Sequence, residues 1–175
     1  MLKVSVVVGN PKPNSRTARV ACNLVEVLLD TGTYELSMID LAEHSGHVFD
    51  WPSEEMSLLN QQVADCDLLV AASPTYKATY TGLLKAFFDR YPNLGLHGVV
   101  AIPVMTGADW RHAMAPEVML RSLLIELGAL VPTAGLYFVM TQMDQIDSVL
   151  ENWVVEARSR LGAHLTEAVS AMSIR

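Results

Sequence analysis

Ser15, Arg16 and Thr17 head a helical pattern. They follow the polar turn Gly9-Asn10-Pro11-Lys12-Pro13-Asn14, which itself leaves the apolar run Val4-Ser5-Val6-Val7-Val8. A strand, a turn and a helix start in that order present unpaired backbone amides and the positive end of a helix dipole, and phosphate is drawn to both. Two hydroxyls add donors, and the guanidinium adds a planar fork that suits phosphate oxygens. Neither GxGxxG nor GxxxxGK followed by Ser or Thr occurs, so the glycine spacing fits no common nucleotide loop. The chemistry indicated is a phosphate held by amides, hydroxyls and one cation. The same residues also make an ordinary turn into a helix capped by Asn14 or Ser15.

Two further loops carry residues suited to a ligand. Ser73-Pro74-Thr75-Tyr76-Lys77-Ala78-Thr79-Tyr80-Thr81-Gly82 lies between an apolar run and a helical stretch. Pro74 and Gly82 shape its backbone, and Tyr76 and Tyr80 offer flat surfaces on which a planar heterocycle can stack or lie edge-on. A polar loop with surface tyrosines would read the same. In Thr106-Gly107-Ala108-Asp109-Trp110-Arg111-His112, the small residues at 107 and 108 let the backbone approach a ligand closely. An ordinary turn has the same composition.

The elements that must position these loops alternate in type. Strand-like runs occupy Val4–Val8, Tyr34–Ile39, Leu68–Ala72, Val99–Met105 and Leu130–Val139. The first, third and fourth are apolar without alternation, the pattern of strands buried on both faces. Helical periodicity joins Val20, Ala21, Leu24, Val27 and Leu28, ending at Thr31-Gly32, and Leu83, Leu84, Phe87 and Phe88, ending at Tyr91-Pro92. A short helix is expected near Glu54–Val63, a third amphipathic one from Pro116 towards Leu127 with Gly128 at its end, and a long one from Ile146 through Leu165 and Ala168. Five strands alternating with helices predict a single α/β domain over residues 1–175, a doubly wound parallel sheet of flavodoxin-like order 2-1-3-4-5 with helices on both faces. Ligands of such sheets sit outside the carboxyl ends of the strands at the switch point. All three loops should meet there. A phosphate site, a flat-ring site and a small-residue wall together describe a flavin mononucleotide pocket.

GNPKPNSRT, SPTYKATYTGLLKAFFD and TGADWRHAM, in this order and spacing, resemble the NADPH-dependent FMN reductase family, most nearly its alkanesulfonate-type members that serve two-component monooxygenases. PTYKATYTGLLK is the most specific of the three. Asn10 stands where the family often has Ser, and Gly107-Ala108 where two glycines are common. The resemblance implies that Gly9, Asn10, Pro11, Ser15, Arg16 and Thr17 surround the FMN phosphate. It implies that Pro74, Thr75, Tyr76 and Lys77 line the ring and ribityl chain, and that Thr106, Gly107 and Ala108 close the other side. It also implies hydride transfer from NADPH, or NADH, to FMN, with reduced flavin passing to a flavin-dependent monooxygenase, and a homodimer or homotetramer. Such chemistry belongs to the cofactor and needs no acid–base dyad, so no catalytic side chain is expected. Arg111 and Lys77 are candidates for the 2′-phosphate of NADPH. Alkanesulfonate-type members can carry an inserted aromatic residue that bulges the fourth helix at the subunit interface. The matching position here is near Val118, which is not aromatic, so that bulge is not expected.

The alternatives are an FMN-dependent quinone or azo reductase, an electron carrier like a flavodoxin, and a module that has lost its flavin. Lys12, Arg16 and Lys77 around the site favour a phosphorylated donor over the acidic rim of a carrier. The net charge of −7 argues against nucleic acid as the main partner, and the apolar runs are too short to span a membrane. The first residues lack a signal-peptide layout, and Cys22 and Cys66 match no metal or redox spacing, so a reducing, cytoplasmic setting is expected. His44 and His47, with Glu43 and Asp50, read as a solvated loop rather than a metal site.

Overall fold

The computed structural model describes residues 1–172, except for the side chains at 163 and 165–172. Five strands, β1 (Leu2–Val8), β2 (Tyr34–Asp40), β3 (Leu68–Pro74), β4 (Val100–Gly107) and β5 (Leu136–Val139), form one parallel sheet in the order β2-β1-β3-β4-β5. Five helices cover it: α1 (Arg16–Leu28), α2 (Glu54–Ala64), α3 (Gly82–Phe88), α4 (Arg121–Glu126) and α5 (Ile146–Met172). Leu165 and Ala168, expected on the apolar stripe of α5, fall outside the described side chains.

The valine run of β1 serves two cores at once. Val4, Val6 and Val8 pack with Leu24, Val20 and Leu150 of α1 and α5, whereas Val7 joins Met56, Leu84 and Phe87 on the opposite face. Alternate residues of a strand point to opposite faces, so a strand between two helical layers must be apolar throughout. Burying each such leucine or phenylalanine contributes roughly 1.5–3 kcal/mol, before the entropy of ordering it is set against this.

Two stretches differ from the sequence expectations. The last strand begins at Leu136, not Leu130, which makes only an isolated bridge to Val100. Arg121 supplies the reason. Its Nη1 donates to Val131 O at 2.6 Å and its Nη2 to Thr133 O, so carbonyls that a strand would pair are taken up by a side chain. The other difference is a π-helical turn at Pro116–Leu120 leading into α4, formed with Val118 rather than an aromatic residue at its centre. The bulge is fixed from beneath. Pro116 packs where Gly135 has no Cβ, and the Glu117 carboxylate accepts from Arg121 Nε at 2.7 Å and from Gly135 N.

Burial alone would raise the Glu117 pKa, but the Arg121 guanidinium and the Gly135 amide outweigh it and hold it below the ordinary glutamate value. A carboxyl lowered in the folded state contributes its full stability above the unfolded-state pKa, about 4.3, and loses it as pH falls through the lower native value. Thermal melting from pH 7 down to about 3 should therefore show a steeper loss of Tm in the native chain than in Glu117→Gln. Equal slopes would remove this group from the acid response.

Candidate functional site

The register places Val8 beside Ala72, Ala72 beside Val104 and Pro74 beside Thr106, so β1, β3 and β4 end at one sheet edge. The three loops are then tied together by hydrogen bonds. Thr75 N donates to Thr106 O at 2.7 Å. Thr81 Oγ1 donates to Gly9 O at 2.5 Å while accepting from Leu84 N, and Thr81 N donates to Ser73 Oγ at 3.0 Å. Thr17 Oγ1 and Thr106 Oγ1 lie 2.9 Å apart, and Asn10 Nδ2 donates to Thr17 Oγ1 at 3.2 Å.

Ser15 is the N-cap of α1, its hydroxyl accepting from Ala18 N at 3.2 Å. The Ser15 hydroxyl still has its own hydrogen to give, and the first-turn amides of Arg16 and Thr17 have no carbonyl behind them. Arg16 is exposed, and so are Pro11 and Lys12 at the mouth of the turn. The hydroxyl of Thr17, expected among the phosphate donors, is instead buried and committed to Thr106 and Asn10. What Thr17 offers outward is its amide. Asn10, the family departure, spends its carbonyl on Lys12 N and its amide on Thr17, so it braces the turn from within.

In the second loop Tyr76 and Thr79 exchange backbone hydrogen bonds around Lys77 and Ala78, which have φ of 52° and 69°. Two left-handed residues in succession make the tight turn that matches hairpin twist, here without glycine. Tyr76 and Lys77 stand exposed on it, and Pro74 is buried at the strand end. In the third loop Gly107 lies under the Tyr137 ring: a Cβ there would come within 1.9 Å of the phenol oxygen. Tyr137 in turn donates to Asp109 O at 3.0 Å. Burial raises the Tyr137 pKa, partly offset by the Thr75 hydroxyl nearby. Ala108 is exposed and is not among the residues with positive φ, so alanine costs nothing there.

Asp40, Ser73, Thr81 and Tyr137 do structural work at this edge that sequence reasoning missed. Asp40 ends β2 beside Val8, is buried, and accepts from Asn14 N at 3.0 Å and from Ala42 N at 3.2 Å. That bond holds Asn14 at a φ of 52° and so sets the phosphate-side turn. The one available signal was an acid placed directly after Ile39 at the carboxyl end of the second strand. His44 and His47 pair with Glu55 at 2.6 Å and Asp50 at 2.8 Å.

A parallel sheet of this order, with three loops tied together at the switch point, defines a flavodoxin-like α/β fold whose ligand edge lies at those loops. The chain belongs to the NADPH-dependent FMN reductase family, whose profile matches residues 2–144. It is 32% identical over 151 residues to NADH-dependent FMN reductase SfnF of Pseudomonas putida, covering 83% of this chain and 81% of that one. It is 29% identical over 130 residues to FMN reductase (NADPH) of Escherichia coli, covering 73% and 68%. Among solved structures, NADH:FMN oxidoreductase (EMOB) in its apo form matches with a TM-score of 0.80 at 28% identity, covering 90% of this chain and 89% of that one. The protein is an NAD(P)H-dependent FMN reductase.

The residues at the edge fit FMN. Thr75 Oγ1 is buried and makes no hydrogen bond of normal length and angle, although close enough to Tyr137 to affect that phenol. An orphaned hydroxyl in the loop assigned to the ring is a partner in waiting for a polar ligand. The outward amides of α1 supply the anion end.

Proposed function

We propose that Ser15, Arg16 and the amide of Thr17 hold the FMN phosphate, on a turn built by Gly9, Asn10 and Pro11. Pro74, Thr75, Tyr76 and Lys77 line the ring and ribityl chain, and Thr106, Gly107 and Ala108 close the far side. Bound there, FMN supplies the acceptor, N5, for a hydride from nicotinamide C4. The chain's own contribution is to neutralise the phosphate with a helix dipole and one guanidinium, and to fix the ring between rigid loops. The observation that carries this reading is the knot of Thr17, Thr81 and Thr106, which leaves the donors of three separate loops no independent freedom.

Arg111 is already paired. Its Nε and Nη2 donate to Asp109 Oδ2 at 2.9 and 2.6 Å, and this fork holds the Asp109 carboxyl down to about 2, so the acid stays charged beside the guanidinium. A 2′-phosphate would have to displace a carboxylate. This favours a site that accepts NADH as well as NADPH. The single domain works in the cytoplasm and passes reduced FMN to a flavin-dependent monooxygenase. Trp110, Met114, Val118, Met119 and Ile125, all exposed along one segment, support a homodimer or homotetramer.

Steady-state kinetics of the purified protein test the reaction. NADH or NADPH oxidation should require added FMN and saturate with it. Oxidation that instead saturates with a quinone, on flavin that stays bound, would favour the quinone-reductase reading. Absence of any nicotinamide oxidation with FMN present would leave an electron carrier.

A further inference from the structure

A cavity of about 440 Å³ lies between α2 and the segment following α3, and none of its lining residues belongs to the three flavin-side loops. Trp51, Pro52, Tyr91 and Pro92 give it apolar walls, and Arg90 supplies its one cation. Three features of Arg90 are unusual together. The guanidinium is stacked on the Trp51 ring, 4.4 Å from its centroid. It is also anchored at one corner, where Nη1 donates to Asp50 O at 2.8 Å and Val48 O at 3.2 Å. Yet among the described residues no carboxylate lies within ion-pair distance of it, and its Nε is buried without an acceptor.

Asp89, next to Arg90 in sequence, pairs with Lys85, and Asp50 and Glu55, near Trp51, pair with His47 and His44. A half-buried charge left unpaired is costly, and an unsatisfied buried donor costs about 1–3 kcal/mol more. Chains normally place a carboxylate at such a group. With Nη1 fixed to backbone carbonyls, the edge left unused is the one made by Nε and Nη2, which accepts a carboxylate side-on through two parallel hydrogen bonds. Trp51 is 70% exposed and lies over the guanidinium face, so its ring is a wall of the cavity, and a carboxylate approaching in the guanidinium plane leaves that contact in place.

We infer that this cavity is a second ligand site, for a small organic anion with a flat apolar body such as an aromatic carboxylate. The carboxylate sits on the Nε–Nη2 edge of Arg90 and the body lies along Trp51, Tyr91 and the two prolines. The volume is in the range of small-molecule sites, and the single cation matches a monoanion.

Benzoate is the probe, with neutral benzyl alcohol as its uncharged counterpart, titrated by calorimetry and by Trp51-dependent fluorescence. Benzoate should bind saturably, at about millimolar dissociation constant or tighter, and about tenfold or more tightly than benzyl alcohol. Arg90→Lys keeps the charge but loses the fork, and should weaken benzoate about tenfold. Because Arg90 also holds the loop at 48–50, Ala64→Leu gives an independent arm that fills the cavity without touching the guanidinium, and it should abolish binding. FMN affinity should be unchanged in both variants, so the outcome is separable from that of the flavin site. No saturable binding, equal affinity for the alcohol, displacement of benzoate by FMN, or full affinity in Ala64→Leu would each overturn the assignment.

Discussion

Replacing Ser15 and Arg16 together by alanine is expected to weaken FMN binding by about ten- to a thousandfold, roughly 1.4–4 kcal/mol in total, while riboflavin binding stays nearly unchanged. The two ligands differ only in the phosphate, so their affinity ratio isolates the phosphate contacts from any general loosening. That separation is needed because Ser15 also caps α1. Losing the cap costs about 0.5–2 kcal/mol of stability and would weaken both flavins alike. Ser15→Asp sharpens the comparison. Aspartate caps as well as serine does, so stability should hold, yet its charge would face the phosphate and FMN affinity should fall below that of Ser15→Ala. Equal losses for FMN and riboflavin, read by fluorescence titration, would remove the phosphate from this turn.

The architecture was legible because its determinants are local. Continuous valine and leucine in β1, β3 and β4 can only be satisfied between two helical layers, and a sheet so covered leaves one edge for ligands. The loops that matter could therefore be named from the chain alone. What escaped was how residues far apart in sequence divide the work within that edge. Thr17 looks like a phosphate hydroxyl because it starts a helix, but Thr106, 89 residues away, takes that hydroxyl into the interior. Asp40 was invisible because its task is to hold the Asn14 amide, a contact that exists only once β2 lies beside β1. The start of the chain's last strand was misplaced for a similar reason. The run from Leu130 is apolar enough for a strand, but Pro132 lacks an amide hydrogen and Arg121 captures the flanking carbonyls. The π-helical turn at Pro116–Leu120 shows the converse. An inserted aromatic residue is not necessary for such a bulge, since here an ion pair and a missing Cβ at Gly135 hold it.

Gly9→Ala is expected to damage the site through packing alone, because the glycine serves the close approach of the edge to α3 rather than any unusual backbone angle. A Cβ at Gly9 would fall 2.4 Å from the Leu84 Cβ and 3.2 Å from the Leu84 Cα, in the first turns of α3. Neither is the free end of a side chain that could swing aside. The helix itself would have to retreat, and with it the Thr81 hydroxyl that binds Gly9 O. Over-packing of this kind costs about 1–3 kcal/mol, and the lost buried hydrogen bond adds about another 1. Urea unfolding should show that drop in midpoint. FMN affinity should fall in the same variant, because the loops carrying Ser15 and Thr75 are joined through Thr81. Gly82→Ala is the control. Nothing lies within 4 Å of a Cβ there, the backbone is helical, and alanine is the better helix former, so stability should hold or rise slightly. A Gly9→Ala protein as stable as the Gly82→Ala one would mean that α3 has slack against β1, and the rigid knot assigned to the three loops would not exist.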